Sequence, residues 1–529
     1  MAETEYDADV VIVGAGPVGT WLAMELCAAG VSTLVLEARA ERPPWSRGFT
    51  VHPRTLELFD SRHMSATLMA VGQRVPSSHF AMGQTRLDYT GLPTNFPFVL
   101  LHPQVRTEEL IERRLTAVGG SVWRDWRVIR LRQHADRVEV DADTPAGLRH
   151  LTARYVIGCD GARSTVRSAA EIPFLGTDSA TVSISGDVVL DNPLPYETPC
   201  LSTAAGMLLN FPLPGGRHMV AVIDHSIMRK TRPGPVAFAE LQASAARVAG
   251  TDLGLRDPGR VTAVGDAAKQ AERYRAGRVL LAGDAAHVHF PMGGQGLNLG
   301  VQDAHNLAWR LIAVLRAGAP DRLLDGYEQE RRPVGEMVVE DVRAQVALAT
   351  ATGLDGLTLR QRFDDLLRDY PSLNRDLAAR ASGLAVRYRA EGGDPRLGAR
   401  VPDLVFAAEV EVGAGAGANH PGRAKRVFET SRPGRFTLLD LTGGRLRAEQ
   451  AVAEAGAEAL VDAVAAQLDE TRDAAQGGSA EPDSGLGVEQ SAEQAWAGTT
   501  AVLIRPDGHA AWIGDDPRRA FDTLKGLLY

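Results

Sequence analysis

Residues 283–300 carry the side chains with the clearest chemical potential, in the stretch GDAAHVHFPMGGQGLNLG. Asp284, His287 and His289 are residue types that bind metal ions. In an extended segment the two histidines would face the same side. A zinc site needs at least three protein ligands, and only Asp284 stands near the pair. The spacing therefore favours ordinary loop histidines, and no metal site is predicted.

The elements predicted on either side of residues 283–300 indicate a ligand-binding turn. Residues 277–284, GRVLLAGD, are typical of a buried strand that ends at Asp284. Residues 298–317 have the apolar periodicity of a helix with one buried face. Crevices where a strand ends and a helix begins are the places where open α/β sheets bind ligands. The glycines would let the backbone come close to such a ligand.

A second glycine-rich motif lies near the start of the chain. Residues 9–13, DVVIV, predict a buried parallel strand, and Gly14, Gly16 and Gly19 follow as G-x-G-x-x-G. Residues 20–29 predict a helix, and a second strand ends at Glu37. This βαβ unit would place a pyrophosphate on the helix N-terminus. A carboxylate at Glu37 would bond ribose hydroxyls and repel a 2′-phosphate. FAD and NAD therefore remain as ligands, and NADP is disfavoured at this site.

Composition narrows the class of protein. The chain has 529 residues, a formal net charge of −9 and three cysteines. The length predicts two or three domains, and the charge argues against nucleic acid or an anionic membrane as a partner. No apolar run is long enough to cross a bilayer, and the start of the chain does not resemble a secretory signal. The cysteines have no metal-like or CxxC spacing, so a cytoplasmic protein with reduced thiols is expected. Residues 413–422 are interpreted as a linker, and residues 473–496 as a disordered insertion.

Three segments together resemble group A flavoprotein monooxygenases, which have the para-hydroxybenzoate hydroxylase fold. They are GAGPVG…LVLEAR, YVIGCDGARSTVR at 155–167, and GRVLLAGDAAHVHFPMGGQGLNLGVQDAHNLAWRL at 277–311. The strongest likeness is to aromatic hydroxylases of bacterial aromatic-polyketide pathways, and it covers residues 1 to about 395.

The resemblance implies an α/β fold class: a Rossmann-like FAD-binding domain, an inserted antiparallel-sheet substrate domain and a C-terminal thioredoxin-like domain. The implied boundaries are 1–75, 102–177 and 265–395 for the FAD-binding domain, 76–101 and 178–264 for the substrate-binding domain, and 396–529 for the C-terminal domain. No cysteine follows Cys200, so the last domain is not expected to perform dithiol chemistry.

The resemblance also implies non-covalently bound FAD. Asp160 and Gly161 would lie near the pyrophosphate, and Asp284 would bond the ribityl chain. Pro291 would lie beside the isoalloxazine ring, with Arg47 near it. Backbone N–H groups of residues 293–298 would face the flavin N1–C2=O edge, where a helix N-terminus stabilises the reduced, anionic ring. The full predicted FAD-contacting set is Gly14, Gly16, Pro17, Val18, Gly19, Glu37, Ala38, Arg47, Gln104, Val128, Asp160, Gly161, Asp284, Pro291, Gly293, Gly294, Gly296, Leu297 and Asn298.

Strand-like segments at 181–190 and 207–224 predict an antiparallel insertion over the flavin, the second of them a hairpin turning at Pro-Gly-Gly. Large apolar side chains there and in residues 76–101 are candidates for the substrate pocket. They are Phe80, Met82, Phe96, Phe98, Leu100, Met207, Leu209, Phe211 and Ile223, together with Pro291. No catalytic base stands out, and His102, His218 and His225 are the candidates.

The implied activity is an NADPH- or NADH-consuming monooxygenase. It would use O₂ and a flavin C4a-hydroperoxide to hydroxylate a polycyclic phenol or quinone of polyketide type. Baeyer–Villiger oxygenation or oxidative rearrangement of a quinone on the same fold is an open alternative. A flavin-binding interaction module without enzymatic activity is another. A flavin halogenase is disfavoured because the Trp-x-Trp-x-Ile-Pro motif is absent. A small aromatic molecule is the expected partner, and a monomer or homodimer the expected assembly.

Overall fold

A computed structural model describes residues 6–46, 48–194, 200–213, 215–230, 232–390, 392–412, 423–469, 495–496 and 498–529. The helices are α1 Pro17–Ala28, α2 Pro53–Asp60, α3 Ser65–Met69, α4 Gln104–Ala117, α5 Thr165–Ala169, α6 Phe238–Ala249, α7 Gln295–Arg316, α8 Asp325–Ala349, α9 Gly353–Asp369, α10 Pro371–Ala381, α11 Ala448–Glu454 and α12 Pro517–Leu528.

The strands of the first 180 residues are β1 Ala8–Val13, β2 Thr33–Glu37, β3 Thr50–Val51, β4 Gln73–Val75, β5 Ser77–His79, β6 Arg86–Asp88, β7 Val99–Leu101, β8 Val122–Arg124, β9 Arg127–Gln133, β10 Val138–Thr144, β11 Gly147–Gly158 and β12 Phe174–Thr177.

Those of the rest are β13 Val182–Leu190, β14 Cys200–Thr203, β15 Gly206–Leu213, β16 Arg217–Asp224, β17 Gly234–Pro235, β18 Leu255–Arg256, β19 Val261–Gly265, β20 Ala268–Ala271, β21 Arg275–Ala276, β22 Val279–Leu281, β23 His287–Val288, β24 Val405–Glu411, β25 Arg423–Arg426, β26 Phe436–Asp440, β27 Val461–Ala465, β28 Ala501–Ile504 and β29 Ala510–Gly514.

The largest sheet has the order β21-β22-β11-β1-β2-β8, and the β9–β10 hairpin extends it from β11. Its central pairs, β22 with β11, β11 with β1, β1 with β2 and β2 with β8, are parallel. Strand β1 is almost wholly buried, which is why it reads as a continuous apolar run. Helix α1 packs against both α4 and α7. The predicted parallel sheet with covering helices is confirmed.

A second sheet, of order β14-β15-β16-β13-β19-β17, is antiparallel throughout, and α6 packs on it. Strands β15 and β16 form the predicted hairpin, with Leu213 opposite Arg217. This sheet is inserted in the chain between β11 and β22 of the parallel sheet. The C-terminal sheet has the order β27-β26-β28-β29, with one parallel pair. The fold is therefore mixed α/β, and the likeness of the last sheet to a thioredoxin fold stays a prediction.

Some predicted boundaries are wrong. Helix α1 begins at Pro17, three residues before the predicted start, because proline suits the first helical turn. The strand predicted to end at Asp284 ends at Leu281, and Asp284 lies in a 3₁₀ turn, Gly283–Ala285. The predicted linker at 413–422 lies outside the described residues, as does 473–494 of the predicted insertion. Trp496, by contrast, is buried in the C-terminal core, so the insertion cannot extend that far.

One apolar core runs from the parallel sheet into the C-terminal unit. Trp309 of α7 meets Phe436 of β26 edge to face, with ring centroids 5.6 Å apart. Both side chains are buried. The C-terminal unit therefore packs directly on the helix that follows the 283–300 stretch. No helix of the described residues is both long and apolar enough to cross a membrane.

We expect Phe436→Ala to lower the free energy of unfolding by about 3–5 kcal/mol, because it removes a fully buried ring and leaves a cavity beside Trp309. Urea denaturation followed by circular dichroism measures this loss. Tyr529→Ala, which removes a ring that is 57% exposed in the same unit, serves as the control. Equal losses in the two variants would contradict a shared core.

Candidate functional site

A cleft of about 1540 Å³, open mouth included, lies at the carboxyl ends of the parallel strands. Much of the predicted FAD set lines it: Gly16, Pro17, Val18, Glu37, Gln104, Gly161, Asp284, Pro291, Gly294, Gly296 and Leu297. Among the described residues, other members of that set stand back from the cleft wall: Gly14, Gly19, Ala38, Val128, Asp160, Gly293 and Asn298. Arg47 lies outside the described residues.

The three glycines of the first motif have distinct tasks. Gly14 has φ +104°, and a Cβ there would lie 2.4 Å from the Cys159 carbonyl oxygen. A Cβ on Gly19 would lie 2.1 Å from the Gly14 carbonyl oxygen, so this glycine lets α1 pack against β1. A Cβ on Gly16 would meet nothing within 4 Å. Gly16 is also the N-cap of α1 and offers no side-chain cap. The amides of this helix start are thus open to an anion from the cleft.

Glu37 stands at the end of β2 on the wall of the cleft. One carboxylate oxygen accepts a hydrogen bond from the Ala15 N–H at 3.0 Å, and the other from the Arg39 N–H at 3.0 Å. These bonds hold the carboxylate beside the glycine motif. Each oxygen keeps a further lone pair for a ribose hydroxyl.

Asp160 and Gly161 are neighbours in the chain but have different surroundings in the structure. The Asp160 carboxylate accepts hydrogen bonds from the Ser164 hydroxyl at 2.5 Å and the Thr165 N–H at 2.7 Å. It therefore supports the start of α5. Burial raises the pKa of Asp160, and these donors offset the rise in part. Gly161 has φ +82° and lines the cleft, with nothing within 4 Å of a Cβ placed on it. The ligand-facing part of this pair is the glycine backbone.

The turn before α7 is left-handed at two consecutive glycines, Gly293 with φ +71° and Gly294 with φ +68°. A Cβ on Gly294 would lie 1.9 Å from the Thr50 hydroxyl oxygen. Helix α7 then begins at Gln295 with no side-chain cap. Its first amides consequently lack partners in the helix, and Gly294, Gly296 and Leu297 line the cleft.

A clamp of three residues, Thr50, His52 and Asn298, holds this turn, and the sequence analysis missed two of its members. The Thr50 hydroxyl donates to the Gly294 carbonyl at 3.2 Å, and His52 Nε2 donates to the Gly293 carbonyl at 2.9 Å. The Asn298 side chain accepts from the His52 N–H at 2.8 Å and donates to the Gly294 carbonyl at 2.8 Å. Asn298 therefore orients the backbone, and its side chain is fully engaged within the protein. The sequence carries no signal for these contacts, because about 240 residues separate the partners.

The remaining predicted FAD contacts have other surroundings. Gln104 begins α4 and lines the cleft, where its side-chain amide donates to Glu108 at 2.7 Å. Val128 is buried in the main core on β9. Ala38 directly follows β2. The cleft wall also includes Arg42, Trp45 and Thr107, which the sequence analysis did not single out.

The predicted substrate-pocket residues fall into separate groups. Met82, Met207, Leu209 and Ile223 cluster with Phe290 and Met292, directly beside the turn before α7. Phe211 packs against Phe49, with ring centroids 5.5 Å apart. Phe80 stacks on Phe363, while Phe96, Phe98 and Leu100 pack in the main core. The structure thus brings only the first group together near the cleft's glycine turn.

His287, left without a task by the sequence, belongs to a buried ion-pair group. Its Nε2 donates to Asp303 Oδ2 at 2.6 Å, and both side chains are essentially inaccessible. Arg331 Nε donates to the other Asp303 oxygen at 2.8 Å. His289 lies on the cleft wall, and its Nδ1 donates to the Phe290 carbonyl at 2.8 Å. Within the described ranges, no group of three or more His, Cys, Asp or Glu could hold a metal ion.

The three candidate bases make contacts within the protein. His102 Nδ1 is 3.0 Å from the Thr107 hydroxyl, and burial lowers the pKa of His102 to about 4. His218 Nδ1 is 2.9 Å from the Asn210 side-chain oxygen. His225 Nδ1 donates to the Ala204 carbonyl at 3.2 Å. Of the three, His102 lies on the cleft wall, where it contacts Thr107. No catalytic base is assigned.

The residues present fit FAD. Two helix starts without side-chain caps, those of α1 and α7, face one elongated cleft, and glycines leave room for close approach at both. Glu37 and Asp284 are among the carboxylates of the cleft wall. A dinucleotide with a pyrophosphate, hydroxylated linkers and a flat ring would use helix N-termini, carboxylates and glycines of this kind.

Comparisons with known proteins agree with this geometry. Residues 7–342 match the family model described as FAD binding domain, and residues 394–528 match the one described as aromatic-ring hydroxylase, C-terminal. The 12-dehydrotetracycline 5-monooxygenase/anhydrotetracycline 6-monooxygenase of Streptomyces rimosus is 37% identical over 98% of both chains. Rifampicin monooxygenase of Streptomyces venezuelae is 35% identical over 98% of both chains. The structure of OxyS anhydrotetracycline hydroxylase from Streptomyces rimosus superposes with a TM-score of 0.82 at 36% identity, over 98% of each chain.

The chain therefore belongs to the FAD-binding-domain family of aromatic-ring hydroxylases. Within that family it is a flavoprotein monooxygenase of the aromatic polyketide type.

Asp284→Ala should weaken FAD binding by about 10- to 100-fold, because it removes the carboxylate that is predicted to accept hydrogen bonds from the ribityl hydroxyls. Asp284 is exposed to the cleft in its 3₁₀ turn, so the variant should fold normally. Quenching of flavin fluorescence during titration of the apoprotein gives the affinity. Asp178→Ala, at a side chain that is 92% exposed, is the control. Unchanged affinity in Asp284→Ala would refute the ribityl role.

His52 should make the apoprotein less stable in mild acid. Burial lowers its pKa from the ordinary 6.5 to about 4, and the bond to Gly293 only partly opposes this. The unfolded chain binds a proton near the ordinary value and the folded chain does not, so stability present at neutral pH is lost as the pH falls from 6.5 to about 4.

Between about pH 7 and pH 5 the loss from this histidine amounts to about 2 kcal/mol. His52→Gln keeps a donor near Gly293 but has no proton to gain. Its free energy of unfolding, from urea titrations at both pH values, should fall by that much less than in the wild type. The other histidines titrate in both proteins and cancel. Parallel pH dependence in the two proteins would show that His52 does not titrate as a buried neutral group.

Proposed function

We propose that the protein uses NADPH or NADH and O₂ to hydroxylate a polycyclic phenol or quinone of polyketide type. The observation that carries this proposal is the apolar wall beside the glycine turn. Met82, Met207 and Ile223 pack there with Phe290 and Met292, and all five side chains are buried behind the turn. A flat, largely apolar ring system bound over the turn would have this apolar cluster behind it, and water would be excluded from the reacting face.

The protein's share of the chemistry is binding, orientation and electrostatics. FAD, when bound and reduced, supplies the activation of O₂ and the oxygen transfer. The amides at the start of α7 would stabilise the negative charge on the ring edge, since they point from an uncapped helix N-terminus. Asp284 and Glu37 would hold the linkers. Pro291 and Met292 would separate the ring from the bulk of α8.

The relatives' names support hydroxylation over the alternatives. The anhydrotetracycline and rifampicin enzymes are both named monooxygenases, and the structural relative is named a hydroxylase. The compounds in those names are 12-dehydrotetracycline, anhydrotetracycline and rifampicin. No contact in the structure specifically favours Baeyer–Villiger oxygenation or a purely binding role, so neither is proposed.

NADPH consumption by the FAD-loaded protein should rise about tenfold or more with at least one anthraquinone- or angucycline-like phenol. The reason is that the binding energy of the correct substrate is used to accelerate the reaction. Absorbance of the reduced nicotinamide follows the reaction, and mass spectrometry with NMR identifies a product that carries one added oxygen atom on the ring. NADH is tested in parallel. Met207→Asp, which places a charge in the apolar wall, should abolish the stimulation but keep FAD bound. A full panel without stimulation would refute the proposed activity.

A further inference from the structure

The C-terminal unit contacts the flavin-binding half of the molecule at several places, and one of them is the turn of residues 505–509, which we call the 505–509 turn. The turn is closed by hydrogen bonds from the Gly508 N–H to the Arg505 carbonyl and from the Arg505 N–H to the His509 carbonyl, each at 2.8 Å. Its three ionisable side chains, Arg505, Asp507 and His509, are 5%, 2% and 4% exposed. Burying three such groups in one turn is costly unless each is paired.

Helix α7 provides the first set of partners. Asn306 Nδ2 donates to Asp507 Oδ2 at 3.0 Å. The guanidinium of Arg505 lies over the Trp309 ring, 5.2 Å from its centroid. Arg505 also forms two parallel hydrogen bonds to Glu330 of α8, at 2.7 and 2.8 Å. The turn thus joins α7 and α8 by charged contacts that exclude water.

A second set of contacts connects the 505–509 turn with strand β3. Arg54 of α2 donates to the Asp507 carbonyl at 2.7 Å and to Glu57 at 2.8 Å. Helix α2 begins one residue after His52 and three after Thr50, both members of the clamp on Gly293 and Gly294. The position of the clamp is therefore connected to the turn through a single short helix.

A third route leads to the 3₁₀ turn that carries Asp284. The His509 ring packs on the Tyr388 ring, with centroids 4.4 Å apart. The Tyr388 hydroxyl accepts from Arg331 Nη1 at 3.0 Å, and Arg331 in turn binds Asp303. Asp303 also accepts from His287 Nε2 and from the Gly283 N–H at 3.4 Å. The chain of contacts ends beside Asp284.

We propose that the 505–509 turn is a positioning element of the flavin site. It holds the middle of α7, the β3 clamp and the Asp284 turn in one arrangement, so that FAD affinity depends on a domain that does not line the cleft. This proposal rests on FAD binding in the cleft, as proposed above. The charges suit the role: burial would raise the pKa of Asp507, but Arg505 and His509 hold it well below its usual range. The carboxylate thus stays charged and keeps its partners ordered.

Asp507→Asn is the principal test, because it keeps the shape of the side chain and removes its charge. Changes along such coupling routes alter binding free energies enough to raise the dissociation constant for FAD about 3- to 30-fold. Flavin fluorescence quenching measures this constant, and visible circular dichroism of the bound flavin should change, because the ring's surroundings shift. A general loss of stability moves neither quantity while about 99% of the apoprotein remains folded, as far-ultraviolet circular dichroism verifies.

Tyr388→Phe is the second variant and removes only the oxygen that accepts from Arg331. It should also weaken FAD binding and decides the question if Asp507→Asn does not fold. Asp516→Asn changes an exposed carboxylate of the same unit and should bind FAD as the wild type does. Phe436→Ala weakens the apolar contact between the units but leaves the charged contacts in place, so it should lose stability and keep its FAD affinity.

Two outcomes would overturn the proposal. One is that the folded Asp507→Asn and Tyr388→Phe proteins bind FAD within about twofold of the wild type with an unchanged flavin spectrum, since coupling of this kind exceeds that range. The other is that Phe436→Ala weakens FAD binding as much as they do, which would mean that docking of the units in general, and not the turn, supports the site. A wild-type protein that binds no FAD would instead refute the proposed function itself.

Discussion

The free amides at the start of α7 are the constraint around which the site is organised. The first N–H groups of any helix lack partners within it, and here the preceding residue is a glycine with no side chain to cap them. The chain reaches this point through two consecutive left-handed glycines, a path closed to residues with a Cβ at Gly294. A ligand or water in the cleft can satisfy such amides. The local backbone is therefore suited to an electron-rich group in the cleft.

The same physics appears a second time at α1, which begins after Gly16 without a side-chain cap. The protein as a whole is negative, yet its cleft is lined by residues at the positive ends of two helices. Long-range attraction of anions is consequently weak, and selectivity comes from contact. A dinucleotide offers separate polar groups for the two sets of amides.

How much of this was predictable depends on the distance along the chain between partners. The βαβ unit, Glu37 at the end of β2 and the hairpin of β15 and β16 follow from short motifs, and the structure places them as expected. Asp284 lines the cleft, but from a 3₁₀ turn and not from the predicted strand end. The clamp on Gly293 and Gly294 does not follow from a short motif. In the sequence, Thr50 and His52 are typical strand and loop residues, and only the structure shows that β3 lies beside the start of α7. The apolar residues predicted to line the substrate pocket were also hard to assign from sequence. Met82 beside the turn and Phe96 in the main core have the same sequence signature, and only packing separates them.

The histidines of the 283–300 stretch show how buried charge can resemble a metal site in a sequence. Asp303 lies in α7 and accepts a hydrogen bond from the His287 imidazole at 2.6 Å. A metal ion on that imidazole would have to displace the carboxylate contact, while Arg331 already holds the other oxygen of Asp303 at 2.8 Å. A cation placed next to Arg331 in a fully buried site would be repelled at short range. The arginine therefore makes this group an ion-pair network, which extends through Tyr388 toward the C-terminal unit and through the Gly283 N–H to the turn that carries Asp284.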